Sequence, residues 1–253
     1  MAVAEMSDAL EAKVAELKQH KDRDWARFNF TNTVHALIET TQAKHVLEIG
    51  GGRTPTFAQQ EVEALGIRYA TSDILQSELD RAPDWADKFV FDITTTDPAA
   101  LDAHRGRYDL AFSKWVMEHV SDYRRAYANI HAVLAPGGVH IAFHPLRFAM
   151  PFLLNSMLPE RLSRPLLIHF FPDRSDEGHP KFPAHYSGCH ISASVREQIR
   201  EIGFRDVWQL PFYGHGYYKP FPVLRDIHGV ATRALRDADV SLLAAFCYTI
   251  IRK

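Results

Sequence analysis

The stretch Val46-Leu47-Glu48-Ile49-Gly50-Gly51-Gly52 decides the fold. A short apolar run passes directly into a triple glycine, and Arg53-Thr54-Pro55 then leads toward a helical pattern. A buried strand that ends in a glycine turn ahead of a helix is the opening unit of a doubly wound α/β domain. Glycine lets the chain turn sharply there and lets a ligand approach the backbone. The next apolar run, residues 67–71, leads to Asp73, about 20 residues beyond the glycines, where a carboxylate at a strand end can take both hydroxyls of a ribose.

Working outward, the alternation continues. Residues 89–93 and 108–113 read as third and fourth strands, and a helix carrying Tyr123, Tyr127 and Ile130 follows. The turn Pro136-Gly137-Gly138 then opens a fifth strand that reaches Phe143. Upstream, Leu10, Val14 and Leu17 mark a surface helix over residues 4–19, and a second helix covers 32–41. Downstream, a helix over 192–202 stops at Gly203, and strands follow over 204–210 and 244–251. Short apolar strands alternating with helices predict a parallel sheet covered on both faces. The expected architecture is a single α/β domain, 1–253, with a Rossmann-like seven-stranded sheet and helices on both faces. Its core comprises 32–145 and 191–253, and two insertions, 146–190 and 211–240, interrupt the rhythm and are expected to form a lid.

Composition narrows the function. Hydrophobic residues make up 46% and charged residues 24% of 253, enough apolar material for a real core. A net charge of −2 supplies no broad positive field for phosphate neutralisation, which argues against a nucleic-acid substrate. No run approaches the length of a membrane span and the N-terminus lacks the form of a secretory signal. Cys189 and Cys247 stand far apart, so reduced thiols and a cytoplasmic setting are expected. A homo-oligomer is left open.

The glycine pattern selects among adenosine-bearing cofactors. A dinucleotide fingerprint needs a third glycine at a set spacing to seat a helix against a pyrophosphate, and Gly50-Gly51-Gly52-Arg53-Thr54-Pro55 lacks it. Pro55 near the helix start and Glu48 ahead of the glycines suit a cofactor with a cationic amino-acid end, which is S-adenosylmethionine. Residues 46–52, 69–73, 91–93, 108–120 and 133–141 resemble, in order and at normal spacing, the successive motifs of class I S-adenosylmethionine-dependent methyltransferases. The resemblance implies that Glu48, Gly50, Gly51 and Gly52 line the methionine side and that Asp73 holds the ribose. It further implies that Asp92 and Ile93 face the adenine and that Ser113 and Lys114 lie beneath the sulfonium.

The acceptor side is read from the histidines. An aliphatic hydroxyl needs a base, a metal, or both before it can attack a methyl carbon. Glu118 and His119 follow the fourth strand, and His144 ends the fifth, about 5 Å away across the sheet, so the three are expected to converge as catalytic groups or as a divalent metal half-site. The group is similar to metal-dependent O-methyltransferases of ubiquinone biosynthesis and small-RNA ribose methyltransferases, in which two glutamates and a histidine bind the ion. That likeness implies Mg2+ or another divalent metal, although Trp115 replaces the first glutamate. Lys181, His185, Tyr186, His215 and Tyr217, with Arg147, Arg161 and Arg174, are the candidates to cover an acceptor of ring faces and hydroxyls. His169, His179 and His190 are further candidate bases in the first insertion. The Lys181-Phe182-Pro183 insertion, with the Gly-Gly-Gly-Arg and Glu-His-Val segments, resembles methyltransferases of polysaccharide synthesis, including those that methylate mannose oligosaccharides. The expected function is O-methylation of a sugar or oligosaccharide. The apolar runs 148–158 and 166–171 leave a lipid or quinone acceptor as an alternative, and a non-catalytic partner subunit is a second.

Overall fold

The computed structural model describes residues 3–150 and 182–253. One seven-stranded sheet organises them, in the order β3-β2-β1-β4-β5-β7-β6. Its strands are β1 (His45–Ile49), β2 (Arg68–Asp73), β3 (Asp87–Val90), β4 (Tyr108–Lys114), β5 (Leu134–Pro145), β6 (Asp206–Phe212) and β7 (Phe246–Arg252). The first five pair in parallel, whereas β7 runs antiparallel to both β5 and β6, so the sheet is mixed and not parallel throughout.

Helices α1 (Val3–Leu17), α2 (Arg23–Phe28), α3 (Phe30–Thr41) and α4 (Gln59–Leu65) come early in the chain, and α7 (Tyr123–Val133) and α8 (Ala193–Glu201) later. Between them lie the short α5 (Gln76–Leu79) and α6 (Ala99–Asp102), and α9 (Pro222–Asp237) precedes β7. Each well-defined start has a local cause. Asp122 accepts the N–H of Arg125 at 3.0 Å to cap α7, and Ser192 accepts that of Val195 at 3.1 Å to cap α8. α3 buries Phe30, Val34, Leu37 and Ile38, one stripe at helical spacing. It joins an aromatic core in which the Phe30 ring lies 5.8 Å from Phe143 and 5.6 Å from Tyr248.

Two elements differ from expectation. The turn at Pro136-Gly137-Gly138 does not precede β5 but lies inside it, as a register shift against Tyr108 and Leu110. A Cβ on Gly138 would sit 2.9 Å from the Ala135 carbonyl, so only glycine lets the strand continue. In the second insertion, 211–240, which was expected as part of a lid, sixteen residues form the regular helix α9. Among the described residues no helix is long and apolar enough to cross a membrane.

Candidate active site

The carboxyl ends of β1, β2 and β4 surround a cavity of about 280 Å³, where an open α/β sheet ordinarily takes its ligand. Gly50 forms its floor. The Gly50 and Gly51 N–H groups both donate to the Ser72 carbonyl, at 2.8 and 3.1 Å, and this pins the turn to the end of β2. Gly50 has φ +73°, and a Cβ on it would stand 2.4 Å from Val116 Cγ2. Beside Gly52, 3.1 Å from where its Cβ would be, lies one carboxylate oxygen of Asp73. The other accepts the Leu75 N–H at 3.0 Å. Burial holds the Asp73 carboxyl above its ordinary range, helped by nearby Glu78 and opposed by the Leu75 hydrogen bond. Glu78 is clamped by Arg53 through two 2.5 Å contacts, a bidentate pair joining the glycine turn to the segment after β2.

Farther along, Ile74, Phe91, Asp92 and Ile93 line the cavity. Asp92 shapes its turn by accepting both the N–H and hydroxyl of Thr94 at 2.7 Å, and Asn129 donates to the carbonyls of Ile93 and Thr95 at 2.8 and 3.0 Å. The opposite wall is Trp115, Val116 and His119, with Phe182 and Pro183 above. Trp115 takes φ +61°, a conformation that favours glycine. It is held there by its N–H bond to the Phe143 carbonyl at 2.9 Å and by ring contacts of 4.4 Å with Phe143 and 5.4 Å with Phe246. Backbone strain of this kind persists where its surroundings over-determine it, often beside a ligand.

Several expected residues do other work. Glu48 is buried and accepts the Thr56 N–H at 2.9 Å, the Thr56 hydroxyl at 2.5 Å and the Tyr69 hydroxyl, so its carboxylate secures the glycine loop from below and is not open to the cavity. Burial raises its pKa, and those hydrogen bonds oppose the rise. Ser113 is buried, 3.4 Å from His140 Nε2, on the sheet face away from Lys114. Lys114 points its ammonium over the Phe30 ring, 5.5 Å from the centroid. Neither lines the cavity.

The expected trio does not assemble. His144 is buried, its Nε2 2.9 Å from the Thr249 hydroxyl and its Nδ1 3.1 Å from the Pro145 carbonyl, and burial lowers its pKa to about 4. Both ring nitrogens are committed within the sheet, so His144 serves packing and is neither the base nor a ligand. Among the described residues no group of three His, Cys, Asp or Glu side chains converges as a metal site, and the donors present do not fit the divalent ion that the likeness implied. Glu118 is also buried, and its Oε2 has no hydrogen-bond partner among the described residues. Burial pushes its pKa up to about 8. Its carbonyl accepts the N–H groups of His185 and Tyr186, at 2.7 and 2.9 Å, tying the end of the first insertion to the site. Through this tie His185 contributes backbone, while its side chain is exposed and Tyr186 is buried in the core. His215 and Tyr217 lie in the second insertion and do not line the cavity. Lys181, Arg161, Arg174, His169 and His179 lie outside the described residues.

Among the described residues, His119 alone of the candidate bases lines the cavity. Its Nδ1 lies 3.0 Å from the Pro183 carbonyl, which can only accept, so Nδ1 carries the proton and the Nε2 lone pair is left as acceptor.

Residues 47–142 match the sequence model of a family described as Methyltransferase domain. The match spans 96 of the 253 residues and marks this segment as similar to that family. Solved structures share the fold. The trans-methyltransferase CalH, solved with S-adenosylhomocysteine, aligns with a TM-score of 0.53 at 17% identity over 89% of this chain and 57% of its own. A putative sarcosine dimethylglycine methyltransferase from Galdieria sulphuraria aligns with a TM-score of 0.51 at 13% identity over 89% and 86%. The chain covers only 48% of the length of phosphoethanolamine N-methyltransferase 2 from Haemonchus contortus, with 83% of this chain aligned at 13% identity and a TM-score of 0.49. No curated protein sequence matches the chain.

The cavity combines a glycine floor that a side chain would fill, the Asp73 carboxylate beside it and an apolar slot lined by Ile74, Phe91 and Ile93. Ile74 and Val116 escaped the sequence reading because apolar residues at strand ends carry no distinguishing signal, whereas Ile93 was expected there. Trp115 was visible only as a departure from a pattern. Gly51 supplies a test of the loop. A Cβ there would meet Thr71 Oγ1 at 2.4 Å and the Glu48 carboxyl carbon at 2.7 Å, and Glu48 is locked by its hydrogen bonds. Gly51→Ala is expected to cost about 2 kcal/mol and lower Tm by roughly 4–8 °C in thermal denaturation, with at least tenfold weaker binding of S-adenosylhomocysteine. Wild-type values for both would show that the loop yields freely.

Proposed function

We propose that the protein transfers the methyl group of S-adenosylmethionine to a hydroxyl oxygen of a sugar or other hydroxylated acceptor, with His119 as the base. Asp73, Gly50 and Gly52 would hold the ribose and methionine portions, and Asp92 and Ile93 the adenine. When bound, the cofactor supplies a methyl carbon already activated by its sulfonium. His119 is the observation that carries the reading, because its Pro183 contact leaves Nε2 as an acceptor in the same cavity as Gly50 and Trp115. As the acceptor oxygen attacks the methyl carbon, Nε2 takes the hydroxyl proton, an O–C bond forms and the S–C bond breaks. An amine that is already neutral needs no such base, so a histidine fixed in its acceptor tautomer favours oxygen. The fold itself is neutral on this point, since solved relatives of similar likeness include a carbon methyltransferase.

The test is transfer of a labelled methyl group to a panel of sugars, quinones and amines, with the position of the label read by mass spectrometry. Label on sugar oxygens is the expected result. Label confined to quinones, or to nitrogen or carbon, would remove the sugar reading.

A further inference from the structure

Beside the cofactor cavity, on the sheet face that carries Phe112, four aromatic rings form one continuous platform. Phe30 lies 5.8 Å from Phe143, Phe143 lies 5.7 Å from Phe246, and Trp115, which also walls the cavity, touches Phe143 and Phe246 at 4.4 and 5.4 Å. Two cations rest on it. The Arg23 guanidinium is 5.6 Å from the Phe246 centroid and the Lys114 ammonium 5.5 Å from that of Phe30. Arg27 follows Arg23 by one helical turn on α2 and therefore shares its face. It is close enough that its charge, after burial, depresses the pKa of Lys114. Lys219 approaches from the second insertion, since its side chain and Arg23 Nη2 lie 3.4 and 3.0 Å from the point a Cβ on Gly216 would occupy.

These charges are poorly matched by acids. The Arg23 side chain is only 14% exposed, and its ion-pair partner is the neighbouring Asp24, which is 59% exposed. Among the described residues Arg27 makes no ion pair, and its guanidinium lies over the exposed Phe28 ring. Glu48 faces Lys114 electrostatically but is already bound by Thr56 and Tyr69. His215 faces Arg23 and is held neutral, its pKa lowered to about 3 by burial, then by His228 and Arg23. Arg27 is exposed, but Arg23 and Lys114 are half-buried against apolar rings, and such cations are costly unless an anion completes the arrangement. Aromatic faces tolerate the cations but do not neutralise them.

We propose that the Arg23, Arg27 and Lys114 platform binds an anionic group, a carboxylate or a phosphate, on the methyl acceptor. The inference rests on the methyltransferase reading and narrows its substrate class: the acceptor is a hydroxylated molecule that carries an acid. Phe30, Phe143 and Phe246 are buried beneath the cations, so Trp115, the half-buried member, is the ring that faces the part of the acceptor between that acid and the hydroxyl and leads it into the cavity.

The test is isothermal titration of the protein saturated with S-adenosylhomocysteine, using glucuronate, glucose 6-phosphate, inorganic phosphate and glucose as probes. Both or one of the charged sugars should bind at least tenfold more tightly than glucose, and which one does so tells carboxylate from phosphate. Arg23→Gln and Arg27→Gln should each reduce that preference at least fivefold while leaving S-adenosylhomocysteine affinity within twofold, and Arg23→Lys should retain most of it. Equal binding of charged sugars and glucose, or a preference unchanged in both glutamine variants, would overturn the proposal. Failure of S-adenosylhomocysteine itself to bind would instead overturn the methyltransferase reading, so the two failures are distinct.

Discussion

Replacing His119 with alanine is expected to lower kcat by about 10²–10⁴-fold while changing the affinity for S-adenosylhomocysteine less than threefold. The size follows from its proposed role as the base. An acceptor hydroxyl must lose its proton as the new bond forms, and the positioned acceptor in the cavity is Nε2, with Nδ1 engaged at 3.0 Å by the Pro183 carbonyl. The ring is braced further by the Phe182 side chain, whose centroid lies 6.0 Å away. His119→Gln keeps a polar group but not a base of suitable strength, so it should resemble alanine. Single-turnover kinetics separates chemistry from product release. A kcat within threefold of wild type in both variants would exclude His119 as the base.

Glu118→Gln should stabilise the protein above neutral pH and have little effect in acid. The sign follows from linkage. The Glu118 pKa stands at about 8 in the folded protein against 4.5 in the open chain, because burial penalises its charge and no partner among the described residues offsets the penalty at Oε2. Below 4.5 the carboxyl is protonated in both states and costs nothing. As pH rises from there to about 8 the unfolded chain ionises it while the folded protein holds the proton, and stability falls. Above that range the loss is complete, at roughly 5 kcal/mol. The groups around it do not reverse the trend. His119 Nε2 is 4.0 Å from Oε1, beyond hydrogen-bond range, and the Cys189 thiol is itself pushed up, first by burial and then by Glu118. Denaturant titrations of both proteins at pH 5 and pH 8.5 should therefore diverge only at the higher value, with the variant more stable. A difference between them that is the same at both pH values would show that Glu118 does not titrate in this way.

Both residues stand in Glu118-His119, which the sequence marked as a candidate for chemistry, yet their roles separate once the chain is folded. The glutamate is sealed beneath the segment that carries His185 and Tyr186, whereas the histidine opens on the cavity. His144 shows the converse. Strand spacing correctly placed it across from β4, but side chains alternate along a strand, and its ring falls on a buried face where Thr249 of β7 meets it. Strand spacing constrains distance between backbones and says nothing of which face a terminal side chain takes when bulges shift the register, as one does in β5.

What the amino-acid order determined alone is the element sequence, the glycine turn between β1 and α4, and the acid at the end of β2. Each of these is written in local periodicity or in a residue type with a unique backbone property. The antiparallel entry of β7, the burial of Glu48 and Glu118, and the gathering of Arg23, Lys114 and Lys219 around the aromatic platform depended on tertiary structure. Those features join residues from α2, β4 and the stretch before α9, far apart in the chain. Their energies come from desolvation and cross-element contact, quantities that no local pattern carries.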